Sequence, residues 1–247
     1  AVDLLILSQE IIVDRASYPT PLIGANSSRY RPLGLGYANL GALLMARGLP
    51  YDSDEGRSLA GAISALMTGE AYRMSAQIAS HKGPFEGFEP NRGPMLQVIR
   101  KHRSQLDKLD LELVDPELLA ACRQVWGEAI KTGEKSGFRN AQTTVLAPTG
   151  TIGFMMDCDT TGVEPDIALV KYKKLVGGGL MKIVNQSVPA ALEQLGYEPE
   201  VVGEILEHVE AHGTVEGCHL VKPDHLPVFD CALQPADGTR SIHYRGH

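Results

Sequence analysis

Val2, Leu5, Ile6, Ile12 and Val13, with Gln9 between them, fall on one helical face over 2–15, and Tyr18-Pro19-Thr20-Pro21 breaks the run. A polar loop follows, leading into Arg31-Pro32-Leu33-Gly34-Leu35-Gly36-Tyr37 and a predicted helix through Met45 that stops near Gly48 and Pro50. Ser53 or Asp54 reads as the N-cap of a long helix over about 54–80. Its many alanines, together with Gly61 and Gly69, predict close packing against neighbours. Gly, Pro and Asn mark "SHKGPFEGFEPNRGP" as a loop, and helices are predicted near 92–106 and 116–133 on either side of a polar connection.

Beyond Phe138-Arg139-Asn140 the pattern changes. "AQTTVLAP" is short and β-branched, which predicts a buried strand, and "ALVKYKKL" at 168–175 alternates as a second strand before the triple glycine at 177–179. Further helices are predicted near 187–196 and 199–212, and Pro223-Asp224 opens a short last one. Helices dominate, strands are few, and there is neither a fixed-period repeat nor a low-complexity linker. The balance predicts an α/β fold, part of an α/β barrel rather than a complete doubly wound sheet.

At 247 residues and 43% hydrophobic content the chain can build a sizeable core, as one large domain or two ordinary ones. It has no apolar run of about 18 residues and no leader pattern, so the expectation is a cytoplasmic protein without a membrane partner. The net charge of −7 argues against a nucleic-acid partner, because that affinity rests on neutralising phosphates with Lys and Arg. A small anion needs only a few local donors and stays open. The chain starts without methionine on an apolar helical run and stops at "SIHYRGH", so a fragment cut at both ends is expected.

The chemistry centres on "LAPTGTIG". Gly150 can take positive φ, Thr149 and Thr151 present hydroxyls, and successive amides at a turn or first helical turn attract an oxyanion such as phosphate. An ordinary tight turn is the competing reading, since the stretch lacks a Walker lysine and its spacing. Gly34-Leu35-Gly36 fails the dinucleotide fingerprint because position 39 is Asn, and a close backbone approach explains it better. Glu216, Cys218, His219 and His225 fall near one another in sequence but lack zinc-site spacing. The four cysteines, Cys122, Cys158, Cys218 and Cys231, form no CxxC pair, so reduced and mostly buried thiols are expected. Cys158, between Asp157 and Asp159, lacks the basic flank that favours a thiolate.

Several ordered blocks carry a family resemblance: residues 31–41 ("RPLGLGYANLG"), Phe138-Arg139-Asn140, the stretch from Ala147 through Ile152, "MMDCDTTGVEPDIALVKYKKLVGGG" and "DGTRSIHYRGH". Together they resemble the catalytic chain of ribonucleotide reductases, most closely the vitamin B12-dependent (class II) branch. The resemblance implies a ten-stranded α/β barrel, of which 1–247 would be one helix-rich piece. It also implies adenosylcobalamin as cofactor, a ribonucleotide as substrate, a thioredoxin-like reductant and the remainder of the reductase chain as partners, and is compatible with a homo-oligomer. By the same resemblance Pro148, Thr149, Gly150, Thr151 and Ile152 form the loop that holds the substrate's phosphates. Phe138-Arg139-Asn140 is expected to set the strand before that loop, with Arg139 paired internally.

The family's radical-bearing Asn-x-Cys-x-Glu motif does not occur in this sequence. No catalytic residue is therefore expected among these 247 residues. A non-catalytic nucleotide-binding remnant and a class I large-subunit piece are the alternatives to a B12-dependent enzyme.

Overall fold

The computed structural model describes residues 1–174 and 177–247. Two compact units divide the chain, one made of Ala1–Gly36 with Ser58–Val145, the other of Tyr37–Arg57 with Leu146–His247.

In the first unit α1 (Val2–Arg15) buries Ile6, Glu10 and Val13, a strip at i, i+4 and i+7, while Leu5 and Ile12 of the predicted stripe stay exposed. The polar loop expected after it contains a helix, α2 (Pro21–Tyr30). The proline that ends one helix starts the next: Thr20 is the N-cap, its hydroxyl accepting from the Ile23 amide at 3.3 Å, and Pro21 occupies the first turn, where its missing N–H has no bond to lose. The long α4 (Asp54–Lys82), α5 (Phe88–Ser104) and α6 (Pro116–Ser136) supply most of this unit's core. Asp115 caps α6 by accepting from the amides of Glu117 and Leu118.

The predicted close packing of α4 is borne out. A Cβ at Gly61 would lie 2.7 Å from Leu109, and one at Gly69 would lie 2.8 Å from the Trp126 indole nitrogen. Trp126, buried, donates to the Ala65 carbonyl at 3.0 Å, so the missing side chain at Gly69 admits the ring and the backbone satisfies its polar edge. α5 begins earlier than expected because Gly87, Pro90 and Asn91 read as loop residues although Pro90 sits in the first helical turn.

The strand predicted in "AQTTVLAP" is not formed. Leu35 and Thr144 make a single parallel bridge, with the Leu35 amide donating to Thr143 at 2.9 Å and the Val145 amide to Leu35 at 2.9 Å. The reason is register: the Leu33 amide reaches Gln142 at 2.8 Å and the Leu35 amide the adjacent Thr143, two residues on one side against one on the other, so no continuous ladder follows. Gly36 faces the Val145 carbonyl so closely that any Cβ would collide with it, which is the backbone approach expected of the Gly-Leu-Gly stretch, although the helix that follows begins only at Leu40.

The second unit has α3 (Leu40–Ala46), α7 (Gly150–Met155), α8 (Ser187–Gln194) and α9 (Pro199–His212), with a 3-10 segment at Pro223–Phe229. Met45, Val188, Leu192, Ile205, Val209 and Phe229 form its core. The strand expected at 168–175 is β1 (Val170–Lys174); its last predicted residue, Leu175, lies outside the described residues. A strand not anticipated, β2 (Leu180–Val184), pairs with it antiparallel, Val170 opposite Val184 and Lys173 opposite Met181. Among the described residues these are the two strands, in one sheet. The fold is therefore helix-rich α/β, and the ten-stranded barrel implied by the resemblance is not formed by the described residues: a closed barrel needs each strand flanked by two others, and each of these has one neighbour. Among the described residues no helix is long and apolar enough to cross a membrane.

Candidate anion-binding site

Pro148 and Thr149 lead into α7, and Gly150, Thr151 and Ile152 begin it, all within the second unit. Positive φ falls not on Gly150, as expected, but on Thr149 (φ 51°, ψ 28°); Gly150 is already the first helical residue. A β-branched residue rarely adopts this conformation. Here the Thr149 hydroxyl accepts the Gly162 amide at 2.7 Å, and the Thr149 carbonyl receives the Gly153 amide at 2.6 Å, which together hold the turn.

The consequence is electrostatic. A threonine at an N-cap ordinarily turns its hydroxyl onto the helix's own first amides, but that of Thr149 is committed elsewhere and makes no cap. The N–H groups at the start of a helix have no intrahelical partner. Gly150, Thr151 and Ile152 are exposed, and a Cβ on Gly150 would meet nothing within 4 Å. The helix ends at Met155; just beyond it Asp157 is also left-handed (φ 58°), and the Cys158 amide returns to the Gly153 carbonyl at 2.9 Å.

Gly150 and Thr151 line an open cleft of about 870 Å³, together with Phe154, Cys158 and the hairpin residues Lys171 and Lys173. A buried polar network underlies it. Asp166 takes the Lys171 ammonium at 2.6 Å and the Asn185 amide at 2.6 Å, and the Asn185 side-chain oxygen accepts the Ser187 amide at 2.7 Å. Asp159 accepts the Gln186 amide at 2.9 Å and the Ser187 hydroxyl at 2.8 Å, tying the loop to the start of α8. Asn39, left-handed at the start of α3, accepts from the amide and hydroxyl of Thr160, and that hydroxyl accepts the Ala42 amide at 3.2 Å. Sequence reasoning missed all of these. The partners lie up to 121 residues apart, and no local spacing announces them.

The other sequence candidates do not converge. His225 pairs with the Tyr197 hydroxyl at 2.9 Å, Cys218 is buried and His219 is exposed. The Glu216 carboxylate takes the Thr239 amide at 2.6 Å and the Arg240 amide at 2.9 Å; burial pulls its pKa upward, but these donors hold it below the usual carboxylate range. Among the described residues no group of His, Cys, Asp or Glu is placed to hold a metal ion. Phe138-Arg139-Asn140 belongs to the first unit and is structural: Phe138 is buried, and Arg139 donates to Glu10 at 2.7 Å.

All four cysteines are free; Cys122, Cys218 and Cys231 are buried and Cys158 is half-buried. Burial, reinforced by the charge of Asp166, pushes the Cys231 thiol far above its ordinary value. Iodoacetamide under native conditions is therefore expected to alkylate Cys158 first and to leave Cys231 unmodified until the protein unfolds. Peptide mapping by mass spectrometry checks this, and early labelling of Cys231 would contradict it.

A family model described as ribonucleotide reductase, barrel domain, matches residues 1–245. The chain is 55% identical over 241 residues to a vitamin B12-dependent ribonucleotide reductase of Rhodopirellula baltica, a match covering 98% of this chain and 23% of the relative. Relatives with the same name from Streptomyces clavuligerus and Streptantibioticus cattleyicolor are each 51% identical over 247 residues, covering 100% of this chain and 25% and 41% of the relatives. The chain thus spans between about a quarter and two-fifths of the length of these relatives.

Proposed function

The chain belongs to the ribonucleotide reductase barrel-domain family, and on that premise we propose that residues 1–247 form part of the catalytic α/β barrel of an adenosylcobalamin-dependent ribonucleotide reductase. The reaction converts a ribonucleotide to its 2′-deoxyribonucleotide by thiyl-radical chemistry in the cytoplasm, with a thioredoxin-like protein as reductant. Adenosylcobalamin supplies the radical when bound. The corrin itself holds the cobalt, so the cofactor asks no metal-ligating cluster of this chain, whose residues serve the substrate. None of the four cysteines stands in an Asn-x-Cys-x-Glu context, so the radical cysteine and the remaining strands of the ten-stranded barrel come, in this reading, from the remainder of the reductase.

This chain's own contribution is the grip on the substrate's phosphates by Pro148, Thr149, Gly150, Thr151 and Ile152. One observation carries it: the Thr149 hydroxyl is turned onto Gly162, leaving the first amides of α7 uncapped at an open cleft. Amides so placed, with the positive end of the helix dipole, suit a phosphate oxyanion. Thr151 adds a hydroxyl, and Gly150 lets the anion come close to the backbone.

Replacing Thr151 with leucine is expected to weaken nucleotide binding about tenfold, by removing a hydroxyl donor and setting an apolar side chain where the anion approaches. Calorimetric titration with a nucleoside diphosphate, beside the free nucleoside as control, measures it. Equal diphosphate affinity in both proteins would overturn the role given to the turn.

A further inference from the structure

The cleft beside α7 draws three lysines from the hairpin, and their environments differ. Lys171 is neutralised, its ammonium 2.6 Å from Asp166 and 2.7 Å from the Asp159 carbonyl. Lys182 pairs with Glu210 at 2.9 Å and also reaches its carbonyl. Lys173 has no carboxylate within ion-pair distance among the described residues; its ammonium rests over the Phe154 ring, 4.0 Å from the centroid. Lys171 and Lys173 stand two residues apart on one strand and so share a face of the hairpin. Phe154 belongs to α7 itself, four residues beyond Gly150 and so about 6 Å along the helix axis.

We propose that Lys173 is a second anion-binding group of this cleft, parked on the Phe154 ring until a phosphate reaches the turn at Gly150 and Thr151 and draws the ammonium across. The inference rests on the phosphate-binding reading of that turn and adds to it a named side-chain cation, on a different element, that reaches the same ligand. The exchange is downhill. An exposed cation–π contact is worth a factor of about 2–5 in an equilibrium constant, and a charge-assisted hydrogen bond to a phosphate oxygen is stronger than that. The flexible stem of lysine can make either contact. The cleft's carboxylates do not cancel the charge equally: Asp166 and Asp159 are spent on Lys171 and on the start of α8, and Asp157, exposed, is the one that tempers the field. Phe154 is thus a positioning residue and Lys173 a ligand-contacting one.

Titration of this chain with inorganic pyrophosphate at low salt tests the assignment. Lys173→Met is expected to weaken binding about tenfold, Lys173→Arg to restore most of it, and Phe154→Leu, which removes the parking site, to tighten it about two- to fivefold. A Lys173→Met protein that binds pyrophosphate as tightly as the wild type, while Thr151→Leu still weakens it, would overturn the role of Lys173 alone. Phe154→Leu binding more weakly would show that the ring presents the lysine rather than holding it back, and would overturn the parking device. Failure of the wild-type chain to bind pyrophosphate would sink the turn and Lys173 together.

Discussion

Replacing Glu10 with alanine is expected to destabilise the unit that carries it by about 3–5 kcal/mol, a large share of what holds a domain folded. The Glu10 carboxylate is buried and takes three donors: Arg31 Nε at 2.7 Å and Arg139 Nε at 2.7 Å on Oε1, and Asn140 Nδ2 at 2.7 Å on Oε2. Arg31 is itself 6% exposed, and its one other carboxylate is the exposed Asp14, whose acid group the Arg31 hydrogen bond holds below the usual range. Removing Glu10 leaves two guanidinium groups near each other, Arg31 buried and Arg139 18% exposed, and strips Asn140 of an acceptor. Asn140 also donates to the Arg31 carbonyl at 3.0 Å and accepts from Ser75 at 2.8 Å, so the loss spreads from α1 to α4 and to the segment after Phe138. Glu10→Gln, which keeps shape and one acceptor, is expected to cost less. Urea unfolding followed by circular dichroism measures both. A shift under about 1 kcal/mol for the alanine variant, the range of an exposed pair, would show that the network does not hold this unit together.

The second large effect is expected at Asp166, in the other unit. Its side chain is 2% exposed and satisfies both Lys171 and Asn185. Asp166→Ala strands the Lys171 ammonium on a single carbonyl and leaves the buried Asn185 amide without its carboxylate, for an expected loss of about 3 kcal/mol or more. The consequence is also local. Lys171 lies on β1 and Asn185 just beyond β2, so Asp166 fastens both ends of the hairpin to the loop that follows α7. Amide hydrogen exchange is expected to rise across β1 and β2 more than in α9, and unchanged protection of the hairpin would refute the assignment. Because that hairpin carries Lys173, the variant should also weaken pyrophosphate binding in proportion to the loss of order.

Much of the fold was legible in the residue pattern. Apolar spacing gave α1 and α9 their observed bounds, and the small residues of α4 foretold a close packing that Trp126 against Gly69 bears out. Elements whose signals are shared with loops were missed: α2, where Thr20-Pro21 reads as a terminator but also caps and starts a helix, and the first turn of α5. β2 was missed because a strand in an isolated hairpin, exposed over Leu180–Lys182, shows no buried stripe. The strand expected near Thr144 failed for the opposite reason, a suitable composition whose pairing with Leu33 and Leu35 slips out of register.

The amino-acid sequence by itself settled where most of the helices run and which family the chain belongs to, because helix periodicity, caps and ordered motifs are written in neighbouring residues. Only the tertiary structure decided which polar groups meet. Glu10 finds Asn140 across 130 positions, and Thr149, not Gly150, takes the left-handed backbone because its hydroxyl is caught by an amide 13 residues further on. Such pairings depend on how distant segments close on one another, and a local pattern encodes the face a side chain presents but not the partner it will find there.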